Sequence, residues 1–473
     1  MANMNPSILM EAASDRKASQ YSKEELDTLR RQIKEKKVRF IFVVYSDFHA
    51  MERGKALPVE RFLSRLEEGI LMAGMQLLRL PKMDIPAMPE LPLSIEFNDL
   101  RFFPDLKTFK VIPWRKDVAT VIADPYDAKG QGAIGFSPRN VARKQVMRLN
   151  DCGYEILSAL EYEFSALDAK TMAPIHTDKT GHWVKSFFQD WELLTEIYDN
   201  LIDIELKVEQ IDSEGENGVY EYPIKPSMGL QSADDGFWVK KTVREISQRN
   251  GYLASFSSKP FVQSSGISGH FNHSLLDLKT RKPLFFDGQD SDNMSKIMKH
   301  WLAGLLRHAP AMVIFGCPTA SCQRRFVHFD RATPRNPSWG VDNRTCSFRV
   351  KSYGPNQTYI ENRIFAAACN PYLTLAVNIA AGLDGVLNEL PLPPMVKGSA
   401  HHLHEDDGGS QMFSGKLSDA VKALEEDDVI CEALGEEFIK TYLNNKKHEC
   451  QLEAKAQQMG DKSFYDREYL PFL

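Results

Sequence analysis

A chain of 473 residues with 43% hydrophobic content can bury a sizeable core, and its length alone suggests about two to four domains. A net charge of −6 leaves no basic footprint for nucleic acid, no apolar run approaches the ~18 residues of a membrane span, and the opening Met1-Ala-Asn-Met-Asn-Pro6 lacks the charged and apolar regions of a signal peptide. The seven cysteines are an odd, scattered set without Cys-x-x-Cys, which points to reduced thiols in the cytoplasm rather than a disulfide framework or a zinc site.

Residues 1 to about 20 are polar, and Ser22-Lys-Glu-Glu25 is a capping-box pattern opening a helix to about Glu35. Val38-Arg-Phe-Ile-Phe-Val-Val-Tyr45 is a strand ending at Asp47, and further strands are expected at Thr108–Ile112 and Val118–Asp124. The glycine-rich stretch 129–138 reads as a connection between domains, with a helix starting at Pro138. Ser158-Ala-Leu-Glu-Tyr-Glu-Phe-Ser165 is apolar and β-prone, hence a buried strand. Beyond it helices and strands mix without a strict βαβ rhythm, which gives an α+β fold. Residues 391–414, including His401-His-Leu-His404, read as a solvated polar loop, and Ser418–Met459 has helical period and charge.

Alternation along a strand puts Glu161 and Glu163 on one face. Two carboxylates in a buried strand repel each other and lose hydration, so something positive belongs between them. Glu-x-Glu by itself is most often a solvated pair on an edge strand. Glu214 and Glu221 flank Gly218, which permits a sharp turn; alone, the segment reads as an exposed acidic loop. His270, taken alone, reads as a satisfied core histidine. Glu361 and Arg363 share a face in Tyr-Ile-Glu-Asn-Arg-Ile, while Arg344 and Arg349 lie on a β-prone segment. Such arginines suit either ion-pair scaffolding or the binding of carboxylate and phosphate.

In this order the segments resemble the glutamine synthetase family from about Val38 to the C-terminal helices. Asp47 with Arg53-Gly-Lys-Ala-Leu-Pro58 is similar to the family's N-terminal aspartate loop, and Asp99-Leu-Arg-Phe-Phe-Pro-Asp105 with Pro113-Trp114 to its β-grasp landmarks. Residues 266–275 resemble its Gly-Ser-Gly-Met-His-x-His-x-Ser-Leu loop, and residues 318–325 its Pro-Thr-x-Asn-Ser-Tyr-Lys-Arg segment. Cys369-Asn-Pro-Tyr-Leu373 and Ala381-Gly-Leu-Asp-Gly385 resemble its Asn-Pro-Tyr helix.

The resemblance implies an N-terminal tail and helix (1–35), a small β-grasp domain (36–137) and a large catalytic domain (138–473) built on an antiparallel sheet with helices. It implies two Mg²⁺ or Mn²⁺ ions per site, one held by Glu163, Glu214 and Glu221 and the other by Glu161, His270 and Glu361. The mostly oxygen donor set suits these hard cations. By the same resemblance Arg325 and Arg363 grip the carboxylates of glutamate, Gly266 lets the backbone approach it, and Arg344, Arg349, Lys259 and Asn272 face ATP. Asp47 would deprotonate the incoming amine, reaching the site from the neighbouring subunit of a stacked-ring homo-oligomer, a dodecamer in this reading.

Three segments depart from the family pattern. The flap glutamate falls at Asp330 or Arg331, the second histidine of the Gly-x-His-x-His loop is Asn272, and Asn-Ser-Tyr-Lys before Arg325 becomes Ser-Cys-Gln-Arg. Arg331 would put positive charge where ammonium should sit. The expectation is therefore an ATP-dependent glutamate–amine ligase whose acceptor is ammonia or, in preference, an organic amine. The alternative is a non-catalytic, lengsin-like structural member of the family.

Overall fold

Ser22 opens the first helix, Lys23–Glu35, through a reciprocal cap: its hydroxyl accepts the Glu25 N–H, and the Glu25 carboxylate accepts the Ser22 N–H at 2.8 Å. The computed structural model describes residues 21–82, 98–176, 182–216, 218–261, 263–327, 333–403 and 412–473. Among these, six strands form a first sheet: β1 (Phe40–Ser46), β2 (Glu52–Pro58), β3 (Ile70–Ala73), β4 (Asp99–Pro104), β5 (Lys110–Val111) and β6 (Val118–Tyr126). Their order is β2-β1-β6-β4-β3, with β5 also on β6; β1 and β6 run parallel and the other pairs antiparallel. The strand expected at Thr108–Ile112 shortens to β5 because Asp105 accepts the Lys107 N–H and starts a 3-10 turn over Leu106–Thr108.

A second sheet of nine strands holds the centre of the chain. Its members are β7 (Tyr154–Asp168), β8 (Asp212–Ser213), β9 (Val219–Glu221), β10 (Ser227–Met228), β11 (Tyr252–Ser255), β12 (Gly269–Asp277), β13 (Trp339–Val341), β14 (Phe348–Ser352) and β15 (Thr358–Asn362). The order is β13-β14-β15-β12-β7-β9-β8, with β10 and β11 also paired to β7. All pairs are antiparallel except β13 with β14. The helical stretch expected over 418–459 is three helices, Leu417–Glu425, Asp428–Leu434 and Glu436–Gln458. Asp427 caps the second by accepting the Ile430 N–H at 3.0 Å, and Gly435, at φ 95°, turns the chain into the third.

Two core helices, Lys296–Gly316 and Pro371–Leu387, cross with their backbones in contact. A Cβ on Gly304 would lie 2.1 Å from the Ala381 carbonyl oxygen, and one on Gly385 would lie 2.0 Å from that of His300. Neither position has room for a side chain.

Arg139, in the helix Pro138–Asp151, ties the first sheet to the second. It donates to Asp124 of β6 at 2.9 and 3.1 Å, to Asp105 at 2.8 Å, and through Nε and Nη2 to Asp234 of the helix Gln231–Arg249 at 2.8 Å each. The Tyr372 hydroxyl also donates to Asp234, at 2.8 Å.

His308 is set between two acids, its Nδ1 2.6 Å from Asp427 and its Nε2 3.0 Å from Asp384. Burial works against its charge, but the two carboxylates prevail and hold the imidazolium above its usual range. That contribution to stability is complete below about pH 6.5, where unfolded histidine is also protonated, and is lost as pH rises through the higher folded value. Denaturation midpoints should therefore fall as pH rises above about 6.5, and His308→Gln should flatten that slope. Equal slopes for the two proteins would show that His308 is not protonated in the fold.

Candidate active site

Strand register builds the site on one face of the large sheet. β7 lies against β12 with Glu161 opposite His270, and β12 lies against β15 with Asn272 opposite Glu361. β15 continues to β14 with Glu361 opposite Arg349, and on the other side Glu163 of β7 stands opposite Glu221 of β9, which faces Asp212 of β8. Residues paired directly across neighbouring strands point the same way, so these groups form one row across six strands, acids at one end and cations at the other.

The centre of the row is the trio Glu161, His270 and Glu361. One ligand atom from each lies within 4.8 Å of the other two, the only such group among the described residues. His270 Nδ1 is 3.7 Å from Glu161 Oε2 and 3.5 Å from Glu361 Oε1, distances too long for good hydrogen bonds. Its Nε2 is buried and has no hydrogen-bond partner among the described residues. A ring nitrogen, Nδ1, that meets two carboxylates only beyond good hydrogen-bond range fits a divalent cation better than a closed polar network, and the residues present suit Mg²⁺ or Mn²⁺. The reading of His270 as a satisfied core histidine is thereby corrected.

The acids beside the trio are strained by one another. Burial and the charge of Glu214 push Glu163 up to about 8, although its carboxylate accepts the Ser268 N–H at 2.8 Å. Burial, then Glu161, Glu163, Glu214 and Asp212, hold Glu221 well above the carboxylate range. Burial also raises Glu214, against the opposing effect of His182. Glu221 is 7% exposed, so the segment is not the exposed acidic loop that its composition suggests. Glu163, Glu214 and Glu221 form an electrostatic cluster, but among the described residues their oxygens do not converge as the first trio's do.

Glu361 behaves differently. Burial would raise it, but His270, Arg363, Lys351 and Arg349 bring it down to about 2. Arg349 Nη1 donates to its Oε2 at 3.0 Å, Arg363 Nη1 donates to its Oε1, and Arg349 Nε donates to Asp342 at 2.9 Å. Arg325 is 1% exposed; it donates through Nη2 to the Ser268 hydroxyl at 3.4 Å, while its Nη1 has no hydrogen-bond partner among the described residues. Arg344 lies in the turn between β13 and β14 rather than on a strand, where its charge reaches Glu214.

The remaining expected residues lie around this row or away from it. Asn272 is in the row, with a buried Oδ1 lacking a partner among the described residues. Gly266 is half-buried in the loop before β12, and Lys259, fully buried, donates to the Ser264 carbonyl of the same loop. Asp47 is elsewhere. Its carboxylate is fully buried, accepting the His49 and Met51 N–H groups at 2.9 Å each and Arg53 Nε at 2.9 Å. Asp330 and Arg331 fall outside the described residues. Sequence reasoning missed Lys351, Asp342, Asp212 and Ser268. Strand alternation held the signal for Lys351, two residues beyond Arg349.

The family model for the glutamine synthetase catalytic domain matches residues 135–463. Lengsin of Homo sapiens is 30% identical over 436 residues, covering 90% of this chain and 82% of that protein. A glutamate–isopropylamine ligase of Pseudomonas sp is 30% identical over 361 residues, covering 74% of this chain and 77% of that protein. A solved GmaS/ADP complex is similar with a TM-score of 0.80 at 22% identity, over 93% of this chain and 98% of that one, a likeness of fold. Among the described residues no helix is long and apolar enough to cross a membrane.

Proposed function

The chain belongs to the glutamine synthetase family, and from that premise we propose that it is an ATP-dependent ligase joining the γ-carboxylate of glutamate to an organic amine through a γ-glutamyl phosphate. The observation that carries this reading is the Glu161–His270–Glu361 trio at the centre of a row of desolvated acids and arginines. A carboxylate is a poor acyl donor, and phosphorylation gives it a good leaving group. Glu161, His270 and Glu361 would hold a divalent ion there, whose charge would offset that of the phosphoryl group in transit.

The chain's own residues take the remaining roles in this proposal. Glu161, His270 and Glu361 hold one Mg²⁺ or Mn²⁺, and Glu163, Glu214 and Glu221 hold the other. Arg325, whose buried Nη1 has no partner among the described residues, and Arg363 orient glutamate, with Gly266 allowing close backbone approach. Arg344, Arg349, Lys259 and Asn272 face ATP. Asp47 takes the amine proton at its carboxylate, coming from the next subunit of a ring-shaped homo-oligomer, a dodecamer. The domain division at 36–137 (β-grasp) and 138–473 and a cytoplasmic location belong to the same proposal. A Pseudomonas relative named for isopropylamine supports an organic acceptor.

A second reading, a structural member without activity, has its own observation. Arg349 and Arg363 already neutralise Glu361, so that carboxylate makes no demand for a cation. The likeness to lengsin favours the same reading. Phosphate release from Mg-ATP and Mn-ATP separates the two. With glutamate present and ethanolamine, putrescine, aromatic monoamines, hydroxylamine or ammonium added singly, we expect glutamate-dependent release stimulated more by an organic amine than by ammonium. Assembled protein releasing no phosphate with any acceptor would establish the structural reading.

A further inference from the structure

We propose that Lys351, held beside Tyr359, is a phosphate-binding residue for the nucleotide, a role that rests on the ligase reading above. Lys351 follows Arg349 by two residues on β14 and pairs in register with Tyr359, which precedes Glu361 by two on β15. Alternation therefore puts Lys351, Tyr359, Arg349 and Glu361 on one face. Going outward from the trio, burial falls away: Glu361 is deeply buried, Arg349 nearly so, and Lys351 and Tyr359 are half-buried at the rim.

The ammonium is not used up by Glu361. Lys351 Nζ stands 3.6 Å from Glu361 Oε2, outside good hydrogen-bond range, while Arg349 already donates to that oxygen at 3.0 Å. It also lies 5.1 Å from the centroid of the Tyr359 ring, whose negative face orients a cation without neutralising it. Arg349 and Arg363 both donate to Glu361, and Arg349 also to Asp342, so neither acid depends on Lys351 for its hydrogen bonds. An ammonium at a half-buried rim serves a polyphosphate as a point charge.

The test is calorimetric binding of a non-hydrolysable ATP analogue to the assembled protein in saturating Mg²⁺, with Mn²⁺ binding to nucleotide-free protein measured alongside. Lys351→Gln should weaken nucleotide binding about 10- to 100-fold, the usual worth of a lost charged hydrogen bond. Lys351→Arg should retain it within a few-fold, and Mn²⁺ affinity should be unchanged in both. Nucleotide binding by Lys351→Gln within about twofold of wild type would overturn the inference while leaving the ligase reading intact. An equal loss of Mn²⁺ affinity would also overturn it, by showing that Lys351 acts through Glu361. Wild-type protein that binds Mn²⁺ but no nucleotide would overturn both.

Discussion

Glu161→Ala should cut glutamate-dependent phosphate release by at least ~10²-fold while leaving the metal-free protein as stable as wild type, or more so. The two halves of this expectation have one cause. Glu161 supplies a ligand atom to the trio, and its charge is among the forces that hold Glu221 above its normal range. Its removal takes away an ion ligand and relieves repulsion in a buried acidic cluster. Mn²⁺ should raise the melting temperature of wild-type protein and have a much smaller effect on the variant, since a ligand bound only by the native state stabilises it by mass action. Wild-type turnover in Glu161→Ala would remove the trio from the mechanism. An unchanged Mn²⁺ shift would place the ion elsewhere.

Arg139→Ala should destabilise the fold by roughly 3–5 kcal/mol, seen as a lower denaturant midpoint. The guanidinium serves Asp105, Asp124 and Asp234 together, and both Asp124 and Asp234 are buried. Arg143 still reaches Asp124, so the heavier penalty falls on Asp234, left with the Tyr372 hydroxyl. Arg139→Lys should recover only part of the loss, because a single ammonium cannot reproduce a planar fork that meets three carboxylates. A midpoint shift under about 1 kcal/mol for the alanine variant would show that water or rearranged neighbours satisfy these acids.

What could be seen in the sequence follows the range of the interaction involved. The Ser22–Glu25 cap spans three residues, and the alternation of Glu161 and Glu163 spans two, so both were readable directly. The break at Asp427 and Gly435 was also local, yet the helical period of the flanking residues masked it. β-propensity at Thr108–Ile112 lost to a capping aspartate just upstream. Arg139 and Asp234 are 95 positions apart, and only the fold shows that they meet. Of the site, the ligand types came from a resemblance of motifs, whereas the row that joins them depends on the register of six strands. Lys351 could not be told from 57 other basic residues until β14 was paired with β15.

The glycine crossing of the helices Lys296–Gly316 and Pro371–Leu387 also bears on motion. Where two helices meet through side chains, rotamer changes can absorb a small slide; where backbone meets backbone, no such cushion exists. The pair should therefore behave as a keel, with amide protons at the crossing exchanging only when the whole core opens. β15 leads through Arg363 into the second of these helices, so Glu361 is anchored close to the stiffest part of the molecule. Opening and closing around a substrate would then have to come from segments away from that keel.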